Sequence, residues 1–492
     1  MMSAIGSPRY LLDQAKRRTP PSLGNLPGMG AVEKWLLNHE WKQIVLAEPP
    51  AGSGLKPVVG DAGLPGLGHV IEIFRGGPDY ALRLYRSHGP LFYAHNPGIP
   101  IVLALGPDAT QVIFANRDRD FSQQGWLSLL GPFFNRGLLL LDFHEHTHHR
   151  RIIQQAFTRP KLVSYVEHID RLATKAIADD WVANDPRLLL YPATKKLVLR
   201  IGAQVFMGRE PETNDEFNDI DRALTAITCA PGALVRFPVP PFKWWAAKRG
   251  RKLLERYFAA AIPERRGSDG TDIFTVLCNA EDQAGNPLTD TDIVNHMIFL
   301  MFTSEPPAAT IASMAYWLAA HPDWQERVRD ESAELGDAPL AFEDLEKLET
   351  LDQVMHESLR LDTPLLTHVR RVVRDTELLG HHLPAGTDVA CWPSMNHRLP
   401  ELWTDPEKFD PDRFAQPRAE HTKHRYAYTP FGGGAHKCIG MTFGQIEVKI
   451  VMHRMLRRFR LELPNPDYRA RWNYSTLMPS DGMPIVLRPL MR

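Results

Sequence analysis

The spacing of apolar residues divides the chain into many helices and a few strands. Apolar positions recur at three- and four-residue intervals, the period of a helix with one buried face, through 107–116, 144–158, 160–182, 213–229, 243–261, 289–320, 322–334 and 343–361. A shorter helical stretch covers 79–87 and a last one 440–458. Two β-rich runs, Leu91 to Tyr93 and Ile101 to Ala104, flank Asn96, Pro97, Gly98 and Pro100 and predict a small hairpin, and a second strand-rich zone spans 369–394. From Asn396 to Pro430 no period holds, and structureless stretches beyond roughly 15 residues inside compact domains usually carry function. Upstream, two short amphipathic pieces, Tyr10 to Arg18 and Val32 to Trp41, are split by Pro20, Pro21 and Pro27; residues 1–52 read as an N-terminal extension, free to pack or to stay mobile. Residues 53–492 read as one mainly α-helical domain with small β sheets.

Composition narrows the function. The 492 residues balance 57 Lys+Arg against 58 Asp+Glu, which argues against a nucleic-acid binder. A hydrophobic fraction of 43%, with 22 Phe, 12 Tyr and 11 Trp, can fill a large core. The four cysteines, Cys229, Cys278, Cys391 and Cys438, form no CxxC pair and are too sparse for a disulfide scaffold or a structural zinc knuckle. No apolar run reaches the roughly 18 residues of a membrane span, and the charged N-terminus (Arg9, Asp13, Lys16, Arg17, Arg18) lacks a signal-peptide core. A soluble, cytoplasmic chain is expected.

The chemistry concentrates at Cys438. The run Tyr428-Thr-Pro-Phe-Gly-Gly-Gly-Ala-His-Lys-Cys438-Ile-Gly440 sets one cysteine in a glycine-rich turn directly before a helix. Glycines let backbone approach a flat cofactor, and N–H groups at a helix start stabilise a thiolate. A lone cysteine is more often a buried free thiol, but the flanking residues decide otherwise. Phe431, Gly432, Gly434, His436, Cys438 and Gly440 resemble, in order and spacing, the haem-binding loop of the cytochrome P450 enzymes. Three further signatures extend that resemblance from about Gly63 to Arg488. It implies the cytochrome P450 fold, haem b as cofactor, Cys438 as axial ligand of the iron, and Phe431 in the cofactor-binding loop.

The first signature is Glu357 with Arg360, at i and i+3 of one helix, and Arg413 in Pro411-Asp-Arg-Phe414; the resemblance implies a structural triad. In the second, His146 and Arg150 lie one helical turn apart, and similar family helices point such a pair at the haem propionates. Arg370 resembles a second propionate ligand, His436 takes the place of a further donor, and Arg371 should face the other side of its strand. The third is the central helix around Phe302, whose register is set by His321-Pro322. Glu305 falls on the family's acidic position, but the family's next residue, a threonine, is Pro306, and its glycine is Thr303. Pro306-Pro307 should kink the helix near the iron. Thr303, Thr310 or water then replaces the missing hydroxyl in proton delivery, or the chemistry differs.

One rival metal site is present. His144-Glu145-x-x-His148, with Glu167 nineteen residues on, is formally a zinc-hydrolase pattern with Glu145 as base. It leaves the Cys438 loop, the Glu357 pair and Arg413 unexplained.

By resemblance, the loop Phe121 to Leu140, Phe302, Leu361, Thr363, Leu365, Leu366, Thr367, Ser475, Leu477 and Met478 line a pocket for a hydrophobic substrate of lipid, sterol or terpenoid type. No flavin- or iron–sulfur-binding segment is apparent, so a ferredoxin or flavodoxin with its reductase should supply electrons. Lys423, His424, Arg425, Lys437, His149 and Arg151 offer it a basic face. Phe237 to Trp245, followed by Lys248, Arg249, Arg251 and Lys252, either covers the pocket or touches a membrane peripherally. A monomeric monooxygenase is expected, with a peroxygenase or a peroxide isomerase or dehydratase as the runner-up.

Overall fold

The computed structural model describes residues 41–96, 100–181, 187–230, 236–237, 239–282, 284–473 and 478–490. The pieces expected at Tyr10 to Arg18 and 32–40 lie outside them, as do Pro97 and Gly98 of the hairpin turn, and Ser475 and Leu477.

Four helices meet in the centre. Arg159–Asp179, Leu190–Met207, Glu305–Ala320 and Met441–Arg458 pack on one another. Their shared core includes Ile169, Ile201, Ile311 and Val451, all fully buried. The bidentate pair Arg454–Asp170 (2.5 and 2.7 Å) ties the last helix to the first. The elements that carry functional side chains are numbered here in chain order: α1 (Phe143–Gln154), α2 (Leu190–Met207), α3 (Asn214–Cys229), α4 (Asp290–Phe302), α5 (Glu305–Ala320), α6 (Glu349–Leu361) and α7 (Met441–Arg458).

Helix α2 has no counterpart in the periodicity. Its buried residues, from Leu190 through Val198, Leu199 and Ile201 to Met207, cover most of its circumference, and Lys196, Arg200 and Gln204 leave only a narrow polar stripe to mark a helical period. The reverse holds at 289–320, where one continuous helix is expected and two are found. Helix α4 ends at Phe302, Thr303 and Ser304 form a turn, and α5 restarts at Glu305. Pro306 and Pro307 occupy the first turn of α5, where their missing N–H groups would lack helical partners anyway. The expected kink is thus a full break. A further helix, Leu127–Phe134, replaces part of the loop expected from Phe121 to Leu140.

The main sheet has seven strands: β1 (Gln43–Val45), β2 (Val59–Asp61), β3 (Leu91–Ala94), β4 (Ile101–Ala104), β5 (Phe121–Ser122), β6 (His368–Val372) and β7 (Asp388–Cys391), in spatial order β1-β2-β3-β4-β7-β6-β5. Strands β3 and β4 are the expected antiparallel pair. Strand β1 pairs with β2, so this part of residues 1–52 is packed into the domain. Strand β6 pairs antiparallel with β7, placing Arg370 opposite Val389 and Arg371 opposite Asp388. From Asn396 to Pro430 the chain is irregular apart from short 3-10 turns.

Candidate haem site

The turn before α7 is built by close backbone approach. Gly434 has φ +64°, and a Cβ there would sit 1.7 Å from the carbonyl oxygen of Phe114, so only glycine lets the loop rest on that backbone. The amide of Cys438 donates to the carbonyl of Phe431 (2.9 Å), closing the loop on itself. The Cys438 side chain is exposed, yet enough protein crowds it that burial raises its thiol pKa. Together these describe a thiol facing an enclosed space. The amide of Gly440 and the charges of Arg150 and Lys437 pull the other way, and a bound cation would complete ionisation.

Donors ring this thiol. His146 on α1 is 2% exposed and stacks on His436, with ring centroids 3.8 Å apart. Arg150, one turn on, donates to the carbonyl of Lys437 (2.7 Å). Arg370 on β6 is 4% exposed and donates to the neighbouring Val369 carbonyl (2.9 Å). Arg371 faces outward and pairs with Asp388 (2.8 and 2.9 Å), as strand alternation requires. Burial first, and then mutual repulsion, lowers the pKa of His146 to about 4, of His436 to about 2 and of His368 to about 3. Burial also lowers Arg370 to about 10. The nearby carboxyl of Asp142 accepts twice from the Gln123 amide, and burial raises its pKa. Buried donors short of acceptors suit a flat ligand that brings its own carboxylates, so the residues present fit haem b.

The Glu357 triad is the opposite case. Glu357 is fully buried on α6 and accepts from Arg360 (2.7 and 2.8 Å), Arg413 (3.0 Å) and the Asp410 amide (2.9 Å). Arg360 also donates to the His397 carbonyl (2.7 Å), and Arg413 to the Thr404 carbonyl (2.8 Å). A second acid, Glu420, accepts from Arg413 (3.0 Å) and Arg418 (2.8 Å). Glu420 has no helical spacing to betray it, since it lies in the irregular stretch.

At the helix break, Glu305 is 9% exposed and bound by α2: the Tyr191 hydroxyl donates to it, and Lys195 Nζ lies 3.5 Å from its other oxygen. Lys195 continues to Thr225 Oγ1 (2.5 Å) and Asp221 (3.5 Å) on α3. Tyr191 and Lys195 escaped sequence reading together with their helix. Thr303 donates to the Leu300 carbonyl (2.6 Å), and among the described residues no hydrogen bond joins it to Glu305. Thr310 donates in the same way to the Pro306 carbonyl (2.9 Å).

Other expectations need correction. His148 Nε2 meets the Glu281 carbonyl (3.0 Å), Glu145 pairs with Arg136 (2.6 Å) and Glu167 is exposed. No group of three metal ligands occurs among the described residues, so the zinc reading falls. His149 is buried against His296 (2.7 Å) and leaves the basic face to Arg151, Lys423, Arg425 and Lys437. Of the proposed pocket, Phe302 and Met478 are partly buried and Leu365 is exposed, while Thr363 is buried with its hydroxyl unpartnered. Leu361 lies in the main core and Leu366 in a separate cluster with Phe92 and Trp392; their burial needs no ligand.

No helix among the described residues is long and apolar enough to cross a membrane. The profile described as Cytochrome P450 matches residues 59–482. The chain is 58% identical over 491 residues to "Putative cytochrome P450 136" of Mycobacterium tuberculosis, covering 99% of this chain and all of that one. It is 31% identical to cyclooctat-9-en-7-ol 5-monooxygenase of Streptomyces melanosporofaciens, covering 90% and 96%. A solved structure, retinoic acid bound cyanobacterial CYP120A1, superposes with a TM-score of 0.79 at 26% identity, covering 88% of this chain and 98% of that one. The glycine loop with its facing thiol, the acceptor-starved donors and the match along nearly the whole length converge: the chain belongs to the cytochrome P450 family, the haem b monooxygenases.

Proposed function

We propose that this monooxygenase acts on a hydrophobic substrate of lipid, sterol or terpenoid type, with a ferredoxin or flavodoxin and its reductase as electron source. Haem b, bound at Cys438, supplies the centre at which dioxygen is reduced and one of its atoms is inserted into substrate. The exposed thiol of Cys438, beside His146, His436 and two arginines that each have one carbonyl acceptor among the described residues, carries this reading. His146, Arg150, Arg370 and His436 would hold the propionates, and the Phe431 carbonyl closes the loop that would carry the cofactor. Glu357, Arg360, Arg413 and Glu420 hold the long irregular segment that leads to it. Glu305 would take protons from α2 and α3 through Lys195 and pass them toward the reacting oxygen, with Thr303, whose oxygen keeps a lone pair, as a further acceptor in the break.

Two relatives, one named for a cyclooctat-9-en-7-ol and one bound to retinoic acid, support the substrate class. The exposed Phe237, Val239 and Phe242 support peripheral contact of a cytoplasmic monomer with a membrane, which flotation with liposomes tests. The absent hydroxyl at Pro306 favours one rival, a peroxygenase or a peroxide isomerase or dehydratase. Once a ligand is found by titrating lipids into the haem-loaded protein, strict dependence of turnover on electron donor and dioxygen supports the monooxygenase. Turnover with peroxide and no donor supports the rival.

A further inference from the structure

A cleft of about 410 Å³ opens beside α6 and is lined by Asp352, His356, Phe414, His421, Tyr428 and Lys449. Four of these residues form a hydrogen-bonded row. The hydroxyl of Tyr428 meets Nδ1 of His356 at 2.9 Å; Nε2 of the same ring faces Asp352 at 3.2 Å; and Lys449 holds Asp352 at 2.7 Å. With Nε2–H donating to the carboxylate, Nδ1 is left as an acceptor, so the phenol donates to it. The His356 carbonyl, at 3.1 Å, is a second acceptor for the same proton. Lysine and imidazole hold Asp352 anionic, with its pKa lowered to about 2 despite burial. Burial raises the Tyr428 pKa far above its ordinary value, so the phenol keeps its proton in the resting state.

Tyr428 is also wired to the cysteine. It is bonded to Thr429, whose carbonyl accepts from the Gly432 amide (3.0 Å), and the adjacent Phe431 carbonyl accepts from the Cys438 amide (2.9 Å). Two hydrogen bonds and a few covalent bonds therefore join a phenol at a solvent-reachable cleft to the loop of the axial ligand. A buried tyrosine whose proton has a base waiting, and whose base has a carboxylate behind it, is arranged to lose an electron and a proton together.

We propose that Tyr428 is a redox-active residue and gives the haem-loaded protein a peroxidase activity toward one-electron donors of the phenol or ascorbate class. The proposal rests on the haem reading above. Tyr428 gives one electron to a haem centre oxidised by a hydroperoxide and its phenolic proton to Nδ1 of His356, leaving a neutral tyrosyl radical and an imidazolium held by Asp352. A donor in the cleft then returns a hydrogen atom's worth of charge: its electron reduces the radical, the imidazolium gives back the proton, and the donor's own proton is released. Two such passes, with two protons taken up at the haem, convert one hydrogen peroxide into two waters and two donor molecules into their one-electron oxidised forms.

The experiment treats holoenzyme with hydrogen peroxide, freezes it within milliseconds and records electron paramagnetic resonance, after the carbon monoxide spectrum has verified thiolate ligation. The expected result is a tyrosyl signal that falls at least tenfold in Tyr428→Phe and is quenched by ascorbate in the wild type. His356→Gln can still bond the phenol but cannot take its proton; it should lower radical yield severalfold even if Tyr428→Phe fails to fold. A signal unchanged in either variant, a radical instead on Trp403, whose ring lies 6.2 Å from that of Tyr428, or none in the wild type would overturn the proposal. Failure of the carbon monoxide band would instead overturn the haem reading beneath it.

Discussion

Two buried clusters of charge in this protein look alike by residue type and differ in satisfaction. Around Glu357, two arginines meet its carboxylate, that of Glu420 and backbone carbonyls at 2.7–3.0 Å. Around Cys438, two arginines and three histidines are buried or half-buried, and the nearby carboxyl of Asp142 is engaged by backbone. A satisfied cluster holds the fold together; an unsatisfied one is a binding site whose acceptors arrive with the ligand.

The largest effect that tests this contrast is expected at Glu357. Glu357→Ala leaves the buried Arg360 guanidinium without a carboxylate and Arg413 with Glu420 alone, and should cost about 3–5 kcal/mol, read from denaturant unfolding of the cofactor-free protein. A loss under about 1 kcal/mol would mean the cluster is no staple. At the other site the sign should reverse. Arg370→Leu removes a buried charge with one carbonyl acceptor, so the cofactor-free protein should be as stable as wild type or more stable, while haem is lost faster from the loaded form. Destabilisation of the cofactor-free protein comparable to that of Glu357→Ala would erase the distinction.

Acid separates the clusters further. His146 has its folded-state pKa lowered from 6.5 to about 4, so in acid the unfolded chain binds the proton first. Its contribution is present above pH 6.5 and is lost as pH falls toward 4, with a slope of about 1.4 kcal/mol per pH unit for one such group. Bound propionates would raise that pKa, so haem should flatten the slope; equal slopes with and without haem would place the propionates elsewhere. The smallest effects belong to proton supply. Lys195→Met should lower product per electron severalfold, and Thr303→Ala by less, because the Thr303 proton is already spent on Leu300. Unchanged yield in Lys195→Met would reduce the Lys195–Glu305 contact to a structural one.

The sequence was most legible where chemistry needs fixed spacing. The Cys438 loop is contiguous, Glu357 and Arg360 share one turn, and His146 and Arg150 another, so local geometry follows from numbering. Strand alternation put Arg370 and Arg371 on opposite faces, and the resemblance said which of them to turn inward. Partners that depend on tertiary packing were not legible: Tyr191 and Lys195 reach Glu305 from across more than a hundred residues, on a helix whose narrow polar stripe hides its period. Glu420 comes from an irregular stretch with no periodicity to read. Pro306 announced a kink, but whether the helix bent or broke depended on Thr303 and Ser304 turning back onto Leu300 and Met301. The HExxH spacing was misleading because a helix supplies His144 and His148 at the right interval without supplying a third ligand.

The central claim is that Cys438 is the thiolate ligand of a haem held by these unsatisfied donors, and the most direct measurement is the absorption spectrum of the reduced protein with carbon monoxide. Wild type should show a strongly red-shifted Soret band, and Cys438→Ala should not. Well-folded wild type without haem, or the same band in Cys438→Ala, would contradict the account.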